Sequence, residues 1–245
     1  MIVRTCVASL LASCIATVAP AGIIAVSDIG GGILLNSGPF VPGLFGNSET
    51  AWSTSALASV HAHLNSNGIA TDGKITILAA ETDYGISLMA LIDAEIGESS
   101  TASLGHLHLD TVANGSNLAF ANDAGGLITI GPASSNARIA SGSLEWNSNG
   151  GGDAFAWAGL LPGNSMTFRF NRTGIAQLGL NEPATFQFIN WNGAAWGVVA
   201  LPVGLQGFTS TGDYGFAASV LVPAPSALMM CAAPLPLLLR RRRAI

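Results

Sequence analysis

The stretch Ser165-Met166-Thr167-Phe168-Arg169-Phe170 indicates the fold class, because every second side chain in it is apolar. Successive side chains of a β-strand point to opposite faces, so the pattern predicts a strand with one buried and one exposed face. Residues 74–78, 126–130 and 185–188 show the same alternation between turn residues. With roughly ten to twelve such runs along the chain, we predict an all-β fold, an antiparallel β-sandwich or jelly roll.

Helical periodicity is weak in the same part of the chain. Residues 57–64 are ambiguous and also fit a short helix. No window keeps a 3.6-residue apolar period with capping signals at both ends. We therefore predict no amphipathic helix longer than about three turns between residues 26 and 220.

Charge and cysteine content divide the chain into a body, residues 26–221, and two terminal segments. The body carries all fourteen acidic residues but only four of the nine basic ones, so it repels phosphate backbones and nucleic-acid binding is not expected. All three cysteines lie in the terminal segments. An exported body without cysteine has no disulfide, so one core must hold it together.

The first 21 residues have the pattern of a secretory signal peptide. Arg4 precedes an apolar run over residues 7–18, and Ala19-Pro20-Ala21 supplies small residues at an A-x-A-like cleavage site. The run is shorter than the roughly 20 apolar residues that span a bilayer. We therefore predict recognition by the export machinery and cleavage after Ala21.

A second processing signal overlaps the first. Leu11-Ala12-Ser13-Cys14 resembles a bacterial lipobox, in which the cysteine is lipidated and becomes the new N-terminus. The match covers four residues that are common in signal peptides. Cleavage after Ala21 is the preferred prediction, and lipidation of Cys14 is the alternative.

The C-terminal segment, residues 222–245, is more specific. Pro223-Ala224-Pro225 precedes an apolar stretch over residues 226–239 and a terminal basic cluster of Arg240, Arg241, Arg242 and Arg243. This order resembles the PEP-CTERM sorting tail, although Ala224 stands where that family usually has glutamate. The resemblance implies that an exosortase cuts near the Pro-x-Pro motif. A simple C-terminal anchor is the alternative, which explains the arginines but not the prolines.

The length of the apolar stretch indicates a temporary hold in the membrane. Its 14 residues would span about 21 Å as a helix, which is less than the roughly 30 Å of a bilayer core. The arginines are favoured on the cytoplasmic side. The prolines restrict the backbone and should end the last strand of the body near Val222.

A hairpin is predicted around Trp191-Asn192-Gly193-Ala194, because Asn-Gly suits a two-residue type I′ turn. That turn sets Ile189 opposite Trp196. Phe186 and Phe188 then lie on the other face of the strand.

If those phenylalanines face the core, Trp191 and Trp196 share an outer face near the hairpin tip. Two exposed tryptophans would offer a platform for sugar rings, so a carbohydrate-binding surface module is one alternative function. A second layer that buries both rings is the competing interpretation.

The four histidines form two pairs, His61-Ala62-His63 and His106-Leu107-His108. On a strand, side chains two residues apart point the same way, about 6.6 Å from each other. Two such strands side by side would make a four-histidine metal site, and a metal-dependent enzyme is the second alternative function. We found no carboxylate at a spacing that supplies a third ligand, and predict solvated histidines without a metal or another cofactor.

Sequence motifs for catalysis are absent. The chain has no Gly-x-Ser-x-Gly, no Gly-x-x-x-x-Gly-Lys followed by Ser or Thr, and no Asp-x-Asp-x-Asp-Gly. We therefore expect a non-enzymatic structural or interaction protein. Its precursor would be held in the inner membrane, and the processed body would lie at the cell surface or in the extracellular matrix, where extracellular polysaccharide is a candidate partner.

Overall fold

The computed structural model describes the central part of the chain. It covers residues 22–27, 32–39, 43–46, 52–71, 74–92, 104–115, 117–122, 128–134, 137–147, 152–171, 185–199 and 214–221. Only the backbone is described at residues 104–106, 132–134, 145–147, 171 and 185.

These residues form fourteen strands and one helix, which are more strands than the sequence predicted. The first group is β1 (Ile23–Ser27), β2 (Ile33–Asn36), β3 (Gly38–Pro39), α1 (Thr54–Ser66), β4 (Lys74–Thr82), β5 (Gly85–Ile92), β6 (Leu104–Asn114) and β7 (Leu118–Asn122). The second group is β8 (Ile128–Ser134), β9 (Ala137–Asn147), β10 (Asp153–Leu160), β11 (Ser165–Asn171), β12 (Thr185–Trp191), β13 (Trp196–Val199) and β14 (Tyr214–Val220).

The strands form two sheets, so the predicted all-β sandwich-like fold is confirmed. Sheet A has the order β2-β1-β14-β11-β6-β9-β8, and sheet B has the order β13-β12-β4-β5-β10-β7. Pairing is antiparallel except along β4, to which β12 and β3 pair in parallel. Sheet B is therefore mixed, where the sequence predicted antiparallel pairing alone, and sheet A is antiparallel.

The first hydrophobic core lies between the two sheets. Its aromatic part contains three pairs of side chains. The two residues of each pair are two positions apart on one strand, so alternation places both on the same face. They are Phe155 with Trp157, Phe168 with Phe170, and Phe186 with Phe188, all of them buried. The rings of Phe168 and Phe216 stack with centroids 4.9 Å apart. Burial of these aromatic rings from both sheets holds the sandwich together without disulfides.

A second core lies on the outer face of sheet B, under α1. Leu57, Val60 and Leu64 of the helix are buried against apolar residues of β4, β5 and β10. Their spacing puts them on one helix face, and Ser53 caps the start by accepting a hydrogen bond from Ala56 N. The prediction of no amphipathic helix beyond about three turns was wrong, since α1 has 13 residues or about 3.6 turns.

The chain crosses between the sheets at one edge. β2 pairs with β1 in sheet A, and after Ser37 the chain continues as β3, which pairs with β4 in sheet B. Asn36 fixes this crossing, because its backbone N donates to Asn190 Oδ1 at 2.6 Å and its side chain donates to Trp191 O at 3.2 Å. The edge strand β2 of sheet A and the strand β12 of sheet B are thereby joined across the two sheets.

The first and last strands are neighbours inside sheet A. Ile24 pairs with Val220, and Leu221 N donates to Ile23 O at 2.8 Å. β14 ends at Val220, close to Val222 as predicted from the prolines. β1 begins at Ile23, three residues before the predicted start of the body, so the chain enters and leaves the sandwich at one pole.

Candidate functional site

The predicted processing residues lie outside the part of the chain that the structure describes. These are Ala19 and Ala21 with the alternative Cys14, and in the tail Pro223, Pro225, Arg240, Arg241, Arg242 and Arg243. Within the described part, no helix has both the length and the apolar character needed to cross a membrane.

The hairpin between β12 and β13 has a different register from the predicted one. Trp191 pairs with Trp196 and Ile189 pairs with Val198, so the loop has four residues, 192–195. Asn192 Oδ1 accepts from the backbone N of Ala194 and Ala195 at 2.9 Å. This turn, closed by the Asn192 side chain, replaces the predicted two-residue Asn-Gly turn. The pairing partners on β13 are shifted by two residues from the predicted ones, and an even shift leaves each side chain on its predicted face of the sheet.

The two tryptophans do not form the exposed platform that the carbohydrate-binding alternative requires. Trp196 is only 4% exposed, and both rings pack with the second core under α1. They meet edge to face with centroids 5.4 Å apart. The second layer considered as the competing interpretation buries this face, because it lies on the side of sheet B that carries α1.

The first histidine pair lies on α1 and not on a strand. Residues two apart on a helix are about 200° apart around its axis, so His61 and His63 point in different directions. His61 is buried with the apolar face of the helix, whereas His63 is half-buried in the last turn. The strand geometry considered for this pair is not formed, and the prediction of solvated histidines was wrong for His61, which is buried.

The second histidine pair lies on β6 as predicted. Leu107 and Leu109 of β6 belong to the core between the sheets, so His108 between them lies on the outer face of sheet A. The helix α1 covers the opposite side of the sandwich. The whole sandwich separates the two histidine pairs, and the four-histidine site considered from the sequence is not formed.

The outer face of sheet A instead brings His108 together with Asp110 and Ser141. His108 Nε2 is 3.3 Å from Asp110 Oδ1 and 3.4 Å from Ser141 Oγ. Ser141 Oγ donates to Asp110 Oδ1 at 2.5 Å, a short bond typical of a charged acceptor. The side chains of His108 and Asp110 are 32% and 49% exposed, so a solute reaches them directly.

This arrangement does not suit serine nucleophile chemistry. In a Ser-His-Asp triad one imidazole nitrogen accepts the serine proton while the other is oriented by the carboxylate. Here the same nitrogen, Nε2, faces both partners, and the Ser141 hydroxyl donates directly to Asp110. A carboxylate oxygen and an imidazole nitrogen side by side fit a cation better than a nucleophile.

Asp110 was not among the residues predicted for a site. The signal was present as His106-x-His108-x-Asp110, three ligand-type residues at every second position of one strand. Among side chains that the structure describes, no three His, Cys, Asp or Glu form a group able to hold a metal ion.

Two concave surfaces lie elsewhere. A cleft of about 270 Å³ beside the start of α1 is lined largely by serine and small side chains, including Ser53, Ser55 and Ser59. A groove of about 360 Å³ runs over Ala217 and Ser219 on the outer face of sheet A. Both surfaces are shaped by small residues.

Comparison with known proteins identifies no relative for this chain. No protein-family model matches it, no curated protein matches its sequence, and no solved structure matches its fold.

Proposed function

We propose that the protein is an exported cell-surface or extracellular-matrix protein with a structural or binding role, processed at a C-terminal sorting signal. Its partners would be the export machinery, an exosortase-like enzyme, the inner membrane during processing, and extracellular polysaccharide at its destination. The observation that supports this most is the pairing of the two ends of the body, where Leu221 N donates to Ile23 O at 2.8 Å.

Both predicted cleavage positions flank this pair of residues. Ala21 precedes Ile23 by two positions, and Pro223 follows Leu221 by two. The register of β1 with β14 runs from Ile24 with Val220 to Ser27 with Ala217. Cleavage at both positions would therefore leave every pair of this register intact.

The described part of the body relies on core burial, which suits export without disulfides. Apolar layers lie on both faces of sheet B. The buried Gln187 keeps its amide hydrogen-bonded, because its Nε2 donates to Thr76 Oγ1 and Ala70 O. Such a body can fold outside the cytoplasm with no redox step.

The test is the intact mass of the mature protein, expressed in a bacterium that contains an exosortase. We expect loss of residues 1–21 and of the tail from near Pro223-Ala224-Pro225. The double variant Pro223→Ala with Pro225→Ala should stay membrane-bound and uncleaved. Pro162→Ala, in the exposed turn between β10 and β11, is the matched control and should be processed normally.

A proline variant that is processed like the parent protein would contradict the sorting-tail assignment. The segment would then be a linker and the tail a simple anchor. A mature protein that keeps residues 1–21 would contradict export by a cleaved signal peptide.

A further inference from the structure

The two ends of the body lie side by side on neighbouring strands. β1 pairs with β14 in antiparallel register, and Leu221 N donates to Ile23 O at 2.8 Å. Gly22 is held next to this pair, because its backbone O accepts from Ser37 N at 2.7 Å. Opposed residues of an antiparallel pair have Cα atoms only about 4.5–5.5 Å apart. The chain that enters the sandwich at Gly22 is therefore within a few residues' reach of the chain that leaves it at Leu221.

Few residues would be needed to connect these ends. Signal-peptide cleavage after Ala21 would make Gly22 the first residue, and the tail would be cut near Pro223-Ala224-Pro225. A bond from one of these three residues to Gly22 would leave three residues (222, 223 and 22) to five residues (222–225 and 22) between Leu221 and Ile23. Hairpin loops commonly have about two to five residues. The closed chain would therefore continue β14 into β1 as an ordinary hairpin.

From this arrangement we infer that the processing enzyme joins the cut end of the body to the α-amine of Gly22 and releases a backbone-cyclised protein. The acyl donor is one of the residues 223–225. This inference rests on the proposed function, because it needs both cleavages. It also requires an enzyme that cuts through a covalent acyl intermediate, which is the usual course of nucleophilic catalysis at a peptide bond.

The reaction has two balanced steps. In the first, the nucleophile of the enzyme attacks the carbonyl carbon at the cut, the peptide bond to the tail breaks, and the tail leaves as a free amine that carries the proton of the nucleophile. In the second, the Gly22 amine attacks the acyl group, an amide bond forms, and the nucleophile is released with a proton from that amine. One peptide bond breaks and one forms, so the exchange consumes no water and needs no redox partner.

Gly22 suits the role of acyl acceptor. It has no side chain beside its amine, and its place in the fold favours none, since a Cβ atom there would overlap the side chain of Ile86. An amine on the same chain also has an effective concentration in the millimolar range when the connection is short, so it competes well with acceptors on other molecules. Cyclisation constrains the unfolded chain as a disulfide does, which suits a body without cysteine.

The test is expression of the full-length chain in a bacterium that contains an exosortase, followed by intact-mass measurement and amine labelling of the processed protein. The cyclic product should be lighter by one water than the linear product of the same two cuts. Lys74 is the only lysine of the chain, so the cyclic product should take one amine label and the linear product two. Trypsin cuts unlabelled protein after the four basic residues of the body and should give four peptides. One of them should join the stretch from residue 173 to the stretch that ends at Lys74.

Gly22→Ala should lower the cyclic fraction several-fold, because the added methyl group displaces the acceptor from beside Ile86, and water should then release the body as a linear product. Gly32→Ala is the matched control, since a Cβ there contacts only Val26 O at 3.8 Å, and it should cyclise like the parent protein. The mass of the parent protein decides the inference even if Gly22→Ala does not fold.

Two results for the parent protein would overturn the inference and leave the proposed function standing. One is a linear product that lacks both terminal segments and takes two amine labels. The other is a product with a further group joined to its C-terminal end. Retention of residues 1–21 or of the tail would instead contradict the proposed function, and this inference with it.

Discussion

Trp157 of sheet B donates a hydrogen bond from its indole Nε1 to Thr111 Oγ1 of sheet A, at 2.8 Å. Both side chains are buried between the sheets. Thr111 Oγ1 in turn donates to the backbone O of Thr167 on the neighbouring strand, at 2.7 Å. One hydroxyl thus satisfies a buried donor from the opposite sheet and fixes the position of β6 relative to β11.

We predict that Thr111→Val lowers the free energy of unfolding by about 1–3 kcal/mol, because it leaves the buried Trp157 Nε1 without its acceptor. Thr111→Ser keeps the hydroxyl and should lose less. Thr167→Val makes the same change at an exposed position and should shift stability by less than about 0.5 kcal/mol. Chemical denaturation followed by tryptophan fluorescence measures all three. Equal losses at positions 111 and 167 would contradict the role given to this hydrogen bond.

Gly38 lies where β3 passes the two tryptophans of the hairpin. A Cβ atom at this position would overlap the ring of Trp196 and contact Trp191. We predict that Gly38→Ala destabilises the fold by about 1–3 kcal/mol, the usual cost of overpacking a filled core. Gly197→Ala is the control, because a Cβ there meets open space. Thermal unfolding of both variants checks the prediction. Equal unfolding midpoints for Gly38→Ala and Gly197→Ala would contradict it.

Tyr214 stacks on Phe186 with ring centroids 4.0 Å apart. Burial raises the pKa of Tyr214 from its ordinary 10.0 to about 12. Between these values the unfolded chain releases a proton that the folded protein keeps, so the free energy of unfolding falls as pH rises. In Tyr214→Phe the free energy of unfolding should decrease less between pH 10 and 12 than in the parent protein. At neutral pH the two proteins should have similar free energies of unfolding.

Denaturation curves across this pH range measure the effect of Tyr214→Phe. Tyr84→Phe, at the chain's other tyrosine, is the control. If the free energy of unfolding of Tyr214→Phe decreased with pH as steeply as that of the parent protein, another group would be the cause.

The arginine cluster should hold the precursor in the membrane until it is processed. Each arginine at the centre of a bilayer costs roughly 2.5–3.5 kcal/mol on insertion scales, so four of them oppose outward slippage. We predict that replacing Arg240, Arg241, Arg242 and Arg243 with serine releases unprocessed precursor into the medium. Fractionation and mass measurement check this, with four lysines as the charge-preserving control. Retention of the serine variant in the membrane would contradict it.

The strands were predictable because their pattern is local. Phe168 and Phe170 alternate with polar residues, and that alone assigns them to one buried face. The mixed pairing was not predictable, since the parallel register of Phe186 with Ile75 joins segments more than a hundred residues apart. Nothing in either segment specifies that partner.

The helix and the hairpin tip show where local rules fail. Leu57, Val60 and Leu64 become an amphipathic face only because the outer side of sheet B is apolar and needs cover. The same cover buries Trp196, which local alternation placed on an open surface. At the candidate site, His108 and Asp110 were readable from sequence, but Ser141 arrives from β9 through long-range pairing.

The position of β14 also has a mechanical consequence. A body tethered through Leu221 is pulled along the axis of β14, which is hydrogen-bonded on both sides, to β1 and to β11. A force applied between the tether and the far end of the sandwich acts parallel to β14. It therefore loads the hydrogen bonds of β14 in shear, and many of them must break at the same time. An edge strand pulled sideways would peel away one bond at a time. A tether attached here would therefore pull on a strand held from both sides, and it would bear load without opening the sheet.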